Sequence, residues 1–422
     1  MGKIARWVVG GLLSLYLLLL IIFNFSPADR WVSRLVSQQL SDRLHTQVKI
    51  GGVRLGLFNR LILTDVYLAD QRGKELLRAD LMSAKIEFRS LFQGRVSLRT
   101  VSLLDAQVNL YKESPDKAPN FQFLLDAFRS KDQSPSNLDL RINSLILRRC
   151  KASYHALYAP RSPEKLNLNH LVVSDINANV SLKHLTPDSI NIRVRELSLR
   201  EQSGLDLRRL SLRLAANKTR ADIQDFDLQL PGTKIGFPRL LAFYKPDDFF
   251  KTLYLAGRID NAQFTTTDFG FLVPRLRGFA HTLTARGLFA VNTKEIVLEN
   301  WYVHEEHNNL LLALSGKLSR RNGRIVSADA NIKTLNLRES LISQAFLHFL
   351  HRPLPAFLKT LAYVDYTGRL HWEEGGINRV AGTLKTAVGS VEGRLAFNGH
   401  YEGNLKVKAL RPTIIAQNQD LP

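Results

Sequence analysis

The chain has 422 residues, and 58 Lys plus Arg against 38 Asp plus Glu give it a net charge of +20. Hydrophobic residues make up 45%, which excludes a disordered chain and suffices for a large apolar surface. The single cysteine, Cys150, excludes an intramolecular disulfide framework and any multi-cysteine zinc or iron–sulfur site.

Lys3 and Arg6 precede an uncharged run from Trp7 to Ala28 that includes Leu12, Leu17, Leu20, Phe23 and Phe25. From Trp7 to Phe25 a helix would measure about 28 Å, the thickness of a bilayer core. The positive end stays in the cytoplasm, so residues 1–28 read as a cytoplasmic tip and single-pass membrane anchor. Ser26-Pro27-Ala28 is also a small-x-small site, which leaves a cleaved signal peptide as the alternative. Either way the rest of the chain is exported.

Residues 29–46 follow as an amphipathic helix. Ser26 suits the N-cap, Pro27 the first helical position and Asp29 a short capping-box partner. Trp31, Val32, Leu35, Val36, Leu40 and Leu44 share one face. That stripe fits a membrane interface or a packed seam on the next domain, and the pattern alone does not choose.

From Val48 the period changes from 3.6 to 2, and residues 47–422 read as one elongated β region. A specific figure recurs: apolar-x-apolar, two other residues, then apolar-x-apolar. It occurs at Val48, Ile50 / Val53, Leu55, and at Leu138, Leu140, Ile142 / Leu145, Leu147. It returns at Leu166, Leu168 / Leu171, Val173, and at Ile190, Ile192, Val194 / Leu197, Leu199. Leu205, Leu207 / Leu210, Leu212, Leu214 and Ala328, Ala330, Ile332 / Leu335, Leu337 complete the set. A strict period of 2 would flip the second half to the other face; two inserted residues at a bulge or bend restore it. The strands therefore present apolar side chains one way and Arg, Lys, Asp and Asn the other. At roughly 12 residues per strand and turn, on the order of 30 strands fit, too many for one flat sheet. Sandwiches in series and one long curled, open-sided antiparallel sheet both satisfy this. In the curled form Leu140, Leu168, Ile192, Val194, Leu207, Leu212 and Ile332 line the apolar trough.

Helical interruptions are few. Phe121, Leu124, Leu125 and Phe128 follow an N-cap candidate at Asn120; Lys131 to Asn137 reads as a linker. Leu341, Ile342, Ala345, Phe346 and Phe349 form a stripe that Pro353 and Pro355 interrupt, and Phe357, Leu358 and Leu361 resume it.

No catalytic constellation stands out. His304-Glu305-Glu306-His307 has zinc-binding residue types in the wrong order for a metalloprotease helix. His348 and His351 lack a carboxylate companion set. Gly389-Ser390 is not a nucleophile elbow, and Lys385-Thr386 lacks a Gly-rich phosphate loop. Cys150, after Arg148 and Arg149, reads as structural. Lys and Arg are scattered along strands without a stacking module, so nucleic acid is not an expected partner. The expectation is a protein that is not an enzyme and carries no cofactor.

Several segments in order resemble the TamB-type translocation and assembly module proteins of the AsmA-like superfamily. They are the N-terminal apolar run, the amphipathic helix and Val48-Lys49-Ile50. Leu61-Ile62-Leu63-Thr64-Asp65-Val66-Tyr67-Leu68-Ala69-Asp70, Gly73 and Leu76-Leu77-Arg78-Ala79-Asp80 are similar to the family's opening. Asn120 to Phe128 is similar to Bacteroidetes-type members, and Tyr254-Leu255-Ala256-Gly257-Arg258-Ile259-Asp260 to a later strand of theirs. The likeness is of pattern and order. Members are usually far longer and end in a further β-rich domain, so a fragment or a shortened member is expected. The resemblance implies a β-groove anchored in the bacterial inner membrane, with the bulk of the chain periplasmic. It implies inner-membrane lipids and phospholipid cargo as partners, and an outer-membrane barrel partner of the TamA or BamA type. The implied function is shielding of acyl chains in transit between the two membranes, or else assembly of outer-membrane β-barrel proteins.

Overall fold

The change of period near Thr46 marks a real junction. Helix α1 (Ser26–Leu44) ends two residues before it, and strand β1 (Val48–Gly56) starts two residues after it. The computed structural model describes residues 14, 26–56, 60–86, 96–128, 138–139, 143–162, 164–186, 189–321 and 324–411. Trp7, Leu12, Leu17, Leu20, Phe23, Phe25 and Leu140 lie outside the described residues, as does the linker read at 131–137. Among the described residues no helix is long and apolar enough to cross a membrane.

The chain divides into two compact units. The first comprises residues 1–183 and 192–207, and the second residues 184–191 and 208–422. Both are mostly β, with open sheets and few short helices.

In the first unit β1, β2 (Arg60–Ala69), β3 (Glu75–Ile86) and β4 (Val96–Lys112) form an antiparallel meander. Two pairings depart from the antiparallel expectation: β4 lies parallel to the two-residue β5 (Leu138–Asp139) and to β6 (Ser144–Ala156). The connection that leaves β4 is long and carries helix α2 (Gln122–Phe128), so the chain can return to the end it left, as a tight hairpin cannot. Strand β7 (His170–Thr186) then pairs antiparallel with β6. Strand β8 (Ser189–Glu201) pairs with the two-residue β9 (Asp206–Leu207).

Helix α1 explains its own stripe. Val32, Val36, Leu40 and Leu44 pack on Val48, Ile50, Val53, Leu68 and Leu76, whereas Trp31 and Leu35 stay exposed. Phe121, Phe123 and Leu124 join that core. Asn120 does not cap α2; its side chain accepts the Tyr111 N–H at 2.9 Å and donates to the Asn109 carbonyl at 3.0 Å.

The polar side of α1 serves the sheet edge. Asp29 Oδ1 accepts the Val53 N–H at 2.5 Å, Ser37 Oγ the Ile50 N–H at 3.0 Å and Ser41 Oγ the Val48 N–H at 2.9 Å. Residues four or eight apart stack along one helix face, so Asp29, Ser37 and Ser41 form one polar row. They satisfy an edge strand that would otherwise offer bare donors. Asp29 thus lends a carboxylate oxygen to β1.

In the second unit each strand pairs antiparallel with the next. The order is β10 (Arg209–Asn217), β11 (Arg220–Gln229), β12 (Lys234–Phe243), β13 (Tyr254–Thr265), β14 (Thr282–Val291) and β15 (Glu295–Glu305). It continues through β16 (Leu310–Arg321), β17 (Arg324–Arg338), β18 (Tyr363–Glu373), β19 (Asn378–Lys385), β20 (Ser390–Phe397) and β21 (Tyr401–Lys408). A short helix α3 (Phe249–Thr252) precedes β13. After β17 come α4 (Glu339–Ala345), a π-helical turn Phe346–Leu350 and α5 (Ala356–Lys359). The described residues hold 21 strands, fewer than the sequence spacing implied, because strands such as the 15-residue β17 continue through their bends.

Six of the bends share one backbone signature. Asp65, Asp105, Arg149, Asp175, Asp225 and Asn300 sit inside strands with φ between 50° and 52°, the left-handed region. Each ends a two-residue insert between apolar neighbours, as in Ile223-Gln224-Asp225-Phe226. The figure read from sequence falls inside strands at Gly51-Gly52, Arg195-Glu196 and Lys333-Thr334, the last with a register shift between Ile332 and Leu335. The figure at Leu205–Leu214 instead spans the gap between β9 and β10. That at Leu166–Val173 begins in the turn before β7.

Two outcomes follow. Ser37→Ala should lower the first unit's unfolding free energy by about 1 kcal/mol, and Asp29→Ala by about 1–3 kcal/mol, read from urea unfolding by circular dichroism. Asp225→Val should cost the second unit about 1–2 kcal/mol, whereas Asp225→Gly keeps the bend and costs less.

Candidate functional site

The alternation of the strands and their register place apolar residues in rows across the second unit. One row runs Leu240, Gly257, Phe289, Leu298, Gly316, Ala330, Leu370, Val380 and Leu395, each the direct partner of the next. Beyond the bends another runs Ala285, Val303, Leu312, Leu335, Tyr366, Leu384 and Val391. Asn300 shifts the phase of β15 so that Leu298 and Trp301 share this face. Trp301 lies over Gly287, where a Cβ would come within 2.7 Å of the indole, and its Nε1 donates to the Leu288 carbonyl at 2.6 Å. Only glycine admits that approach.

This face is not sealed. Among the described hydrophobic residues of the second unit, the buried ones are Ala221, Leu230, Ala242, Ala262, Phe271, Ala285, Ile332, Leu354 and Tyr366. Four are alanines; Leu230, Phe271 and Leu354 lie in turns and connections, so Ile332 and Tyr366 are the large strand residues that are buried. A filled sandwich would bury a contiguous set of large side chains instead. The first unit does so beneath α1 and α2. There Val66, Ala79, Ala106 and Cys150 form a second buried cluster along one register row. The buried Cys150 thiol donates weakly to the Leu103 and Arg148 carbonyls, as its structural reading required.

The sequence-derived lining residues separate. Ile192 and Val194 alternate with exposed Arg193 and Arg195 on β8, and Leu207 is buried in β9. Leu168 is 71% exposed and precedes β7, so the alternation at 166–168 belongs to a turn. In the second unit Leu212 sits at the register shift of β10, and Ile332, 6% exposed, adjoins the bend of β17.

Cavities open between the side chains of the second unit as well. One, about 720 Å³, is lined by His304, Asn336, Arg338, Asp365, Thr383 and Lys385 among others. Several of these groups already serve one another: Asn336 donates to Asp365, and His304 Nε2 lies 2.7 Å from Asn308 Oδ1. Another, about 680 Å³, is lined by Val297, Leu298, Ala330 and Leu370 together with Lys317, Asp329, Arg369, His371 and Arg379, and there His371 Nδ1 meets Asp329 Oδ1 at 2.6 Å. Among the described residues no group of three His, Cys, Asp or Glu could hold a metal ion.

His304 and Glu305 end β15, and Glu306 and His307 open the turn after it. Glu305 is fully buried, and its Oε2 accepts the His307 and Asn309 N–H groups at 3.0 Å each. Its Oε1 lies 3.3 Å from His281 Nδ1 and 3.2 Å from His307 Nδ1. Asp70 does the same in the turn after β2. Its Oδ1 accepts the Arg72 and Lys74 N–H groups at 2.9 Å each, and its Oδ2 the Tyr111 hydroxyl at 2.7 Å. In the turn after β8, Glu201 accepts the Ser203 N–H at 2.8 Å. Burial pushes the Asp70 and Glu305 carboxyls up, but the donors outweigh it and hold both below the usual range. These buried acids pin hairpin ends, and their signal in the sequence is an acid two and four residues ahead of the N–H groups it accepts.

Comparison with protein-family models, curated proteins and solved structures finds no match to this chain.

Carboxyls depressed in the folded state stabilise it above their unfolded values, near pH 4, and that contribution disappears as the pH falls through the folded values. The urea midpoint of each unit should therefore drop as the pH falls below about 4. Glu305→Gln should flatten that drop in the second unit, and Asp70→Asn in the first.

Proposed function

We propose that the second unit carries lipid acyl chains along its apolar face, and that the protein is a non-enzymatic conduit that shields phospholipid between membranes. The observation that carries this reading is a long one-sided apolar surface whose large side chains are left half-covered. Moving about 16 methylenes out of water is worth about 0.8 kcal/mol each, roughly 12 kcal/mol for a chain. A surface of Leu, Val, Phe and Ala offers that gain at every point along its length and singles out none, which suits a chain that must slide. Its rows hold no charged side chain to tether a headgroup. The resemblance to TamB-type proteins, and the expectation of an inner-membrane anchor and a periplasmic location, are consistent with such a role. The absence of a nucleotide-binding signature assigns the driving force to other components.

Photo-crosslinking in intact cells tests this. A photoreactive residue in place of Leu312 or Leu335 should yield phospholipid adducts detectable by mass spectrometry. The same residue in place of Asn336, on the opposite face, should not. Protein adducts alone at Leu312 and Leu335 would overturn the proposal and favour an assembly factor.

A further inference from the structure

Two segments of the second unit leave the strands at the same end of the sheet and meet each other. The first, residues 266–281, joins β13 to β14 through two 3₁₀ turns, Thr266–Phe269 and Pro274–Leu276. Its root is closed where the Thr266 N–H donates to the His281 carbonyl at 3.0 Å. The second, residues 339–361, joins β17 to β18 through α4, the π-helical turn and α5. His348 Nε2 lies 2.7 Å from the Arg275 carbonyl oxygen, and the Phe279 ring packs on Phe349. Phe271 and Leu354 are buried, one in each segment.

Their exposed side chains are of two kinds only, apolar and cationic. Leu272, Val273, Leu347, Leu350 and Phe357 are exposed, Leu347 at 63%. So are Arg275, Arg277, Arg352 and Lys359. From Phe269 to His281 and from Ser340 to Leu361 the sequence has no Asp or Glu. Asp268, just before the first stretch, accepts the Gly232 N–H at 2.8 Å, and Glu305 beside His281 is buried. The strands of the same unit pair their charges instead, as in Arg213 with Asp225 and Lys317 with Glu295. Among the described residues Arg275, Arg352 and Lys359 make no ion pair. From this we infer that the two segments form a tip that docks on the surface of a bilayer containing anionic phospholipid.

The order of the side chains selects this occupant. Three times a cation follows an exposed apolar side chain by two positions: Val273 and Arg275, Leu350 and Arg352, Phe357 and Lys359. A protein interface keeps its charges to a rim around an apolar core. The headgroup layer of a bilayer takes both at one depth, with apolar side chains at the acyl boundary and cations on the phosphates. Each Lys or Arg near an anionic surface strengthens binding about fivefold. Docking through the strand ends is independent of what the open face of the sheet carries.

The buried Cys150 lets a single added cysteine carry a fluorophore. Leu272→Cys and Leu347→Cys, each labelled with the dye NBD, are prepared in the full chain and reconstituted into phosphatidylcholine vesicles with and without phosphatidylglycerol. With phosphatidylglycerol present, doxyl-labelled lipid in the vesicles should quench the dye at both positions. It should not quench the dye at Glu374→Cys, an exposed site in the turn between β18 and β19 at the other end of the same strands. Arg275→Ser and Arg352→Ser should each lower the ratio of docked to undocked tip about fivefold, read from the quenched fraction at Leu347→Cys. Both arginines are exposed, and an unchanged β-sheet circular dichroism spectrum separates lost docking from lost fold. No quenching at either tip position, equal quenching at Glu374→Cys, or quenching indifferent to phosphatidylglycerol and to both arginines would each overturn the inference. So would a dye already shielded at the tip without vesicles, which would assign that surface to a protein cover.

Discussion

One conformational device recurs in six of the strands: a residue in the left-handed region after a two-residue insert. A pleated strand alternates its side chains without exception, so a strand cannot bend and keep one apolar face unless its phase is reset. Asp65, Asp105, Asp175, Asp225 and Asn300 supply that reset at φ near 50°. Asp and Asn tolerate this region better than other non-glycine residues, because their short polar side chains bond locally. Arg149 is the exception, and its neighbour explains it. Its guanidinium meets Asp105, itself at a bend, at 2.8 Å and 2.5 Å, so adjacent bends in β4 and β6 are tied across the parallel pair. The ion pair is solvent-exposed, so its role is one of alignment more than of stability.

The two units use the same strand grammar and reach different ends. In the first, α1 and α2 cover the apolar face, and Val48, Ile50, Val53, Leu68 and Leu76 become a dry core. In the second, the connections that could cover the face gather at strand ends. The segment after β13 meets the π-helical turn there, with Phe279 packed on His348 and Phe349 at ring separations of 5.4 Å and 4.9 Å. The strands between remain half-covered. Hydrophobic stabilisation scales with area removed from water, so a unit built this way gives up part of what its own leucines could supply. Such a surplus of apolar surface is the usual mark of a face kept for a ligand.

Much of this was legible in the sequence. The end of α1, the switch to strands, the one-sided alternation and the interrupted helical segment at 339–359 all follow from period and proline placement. So did the structural reading of Cys150. Three things were not legible. Leu166 and Leu168 alternate like a strand, but the turn held by Asn167, which donates to the Pro160 carbonyl at 3.0 Å, competes locally with sheet pairing. The parallel pairing of β4 with β6 is a long-range choice that alternation does not encode. The service of α1 to the edge of β1 was hidden because Asp29, Ser37 and Ser41 look like an ordinary solvated face. Their spacing of eight and four was visible, but nothing in a single sequence says that a bare strand edge lies beside them.

The fully buried polar side chains complete the physical picture. A sheet with one uncovered face holds its strands together chiefly by backbone pairing, and pairing frays from the ends. Among the largest fully buried side chains are Asp70, Thr233 and Glu305, all at strand ends or turns, and only Leu76 is apolar. Each acid accepts two N–H groups of its own turn and bonds a side chain from another segment: Tyr111 to Asp70, His281 to Glu305. Thr233 Oγ1 accepts the Thr265 N–H at 3.1 Å and so fastens the turn before β12 to the end of β13. Closing the ends with hydrogen bonds frees the middle of the sheet from having to bury its leucines. An apolar face can then stay open along its length without the hairpins coming apart at their tips.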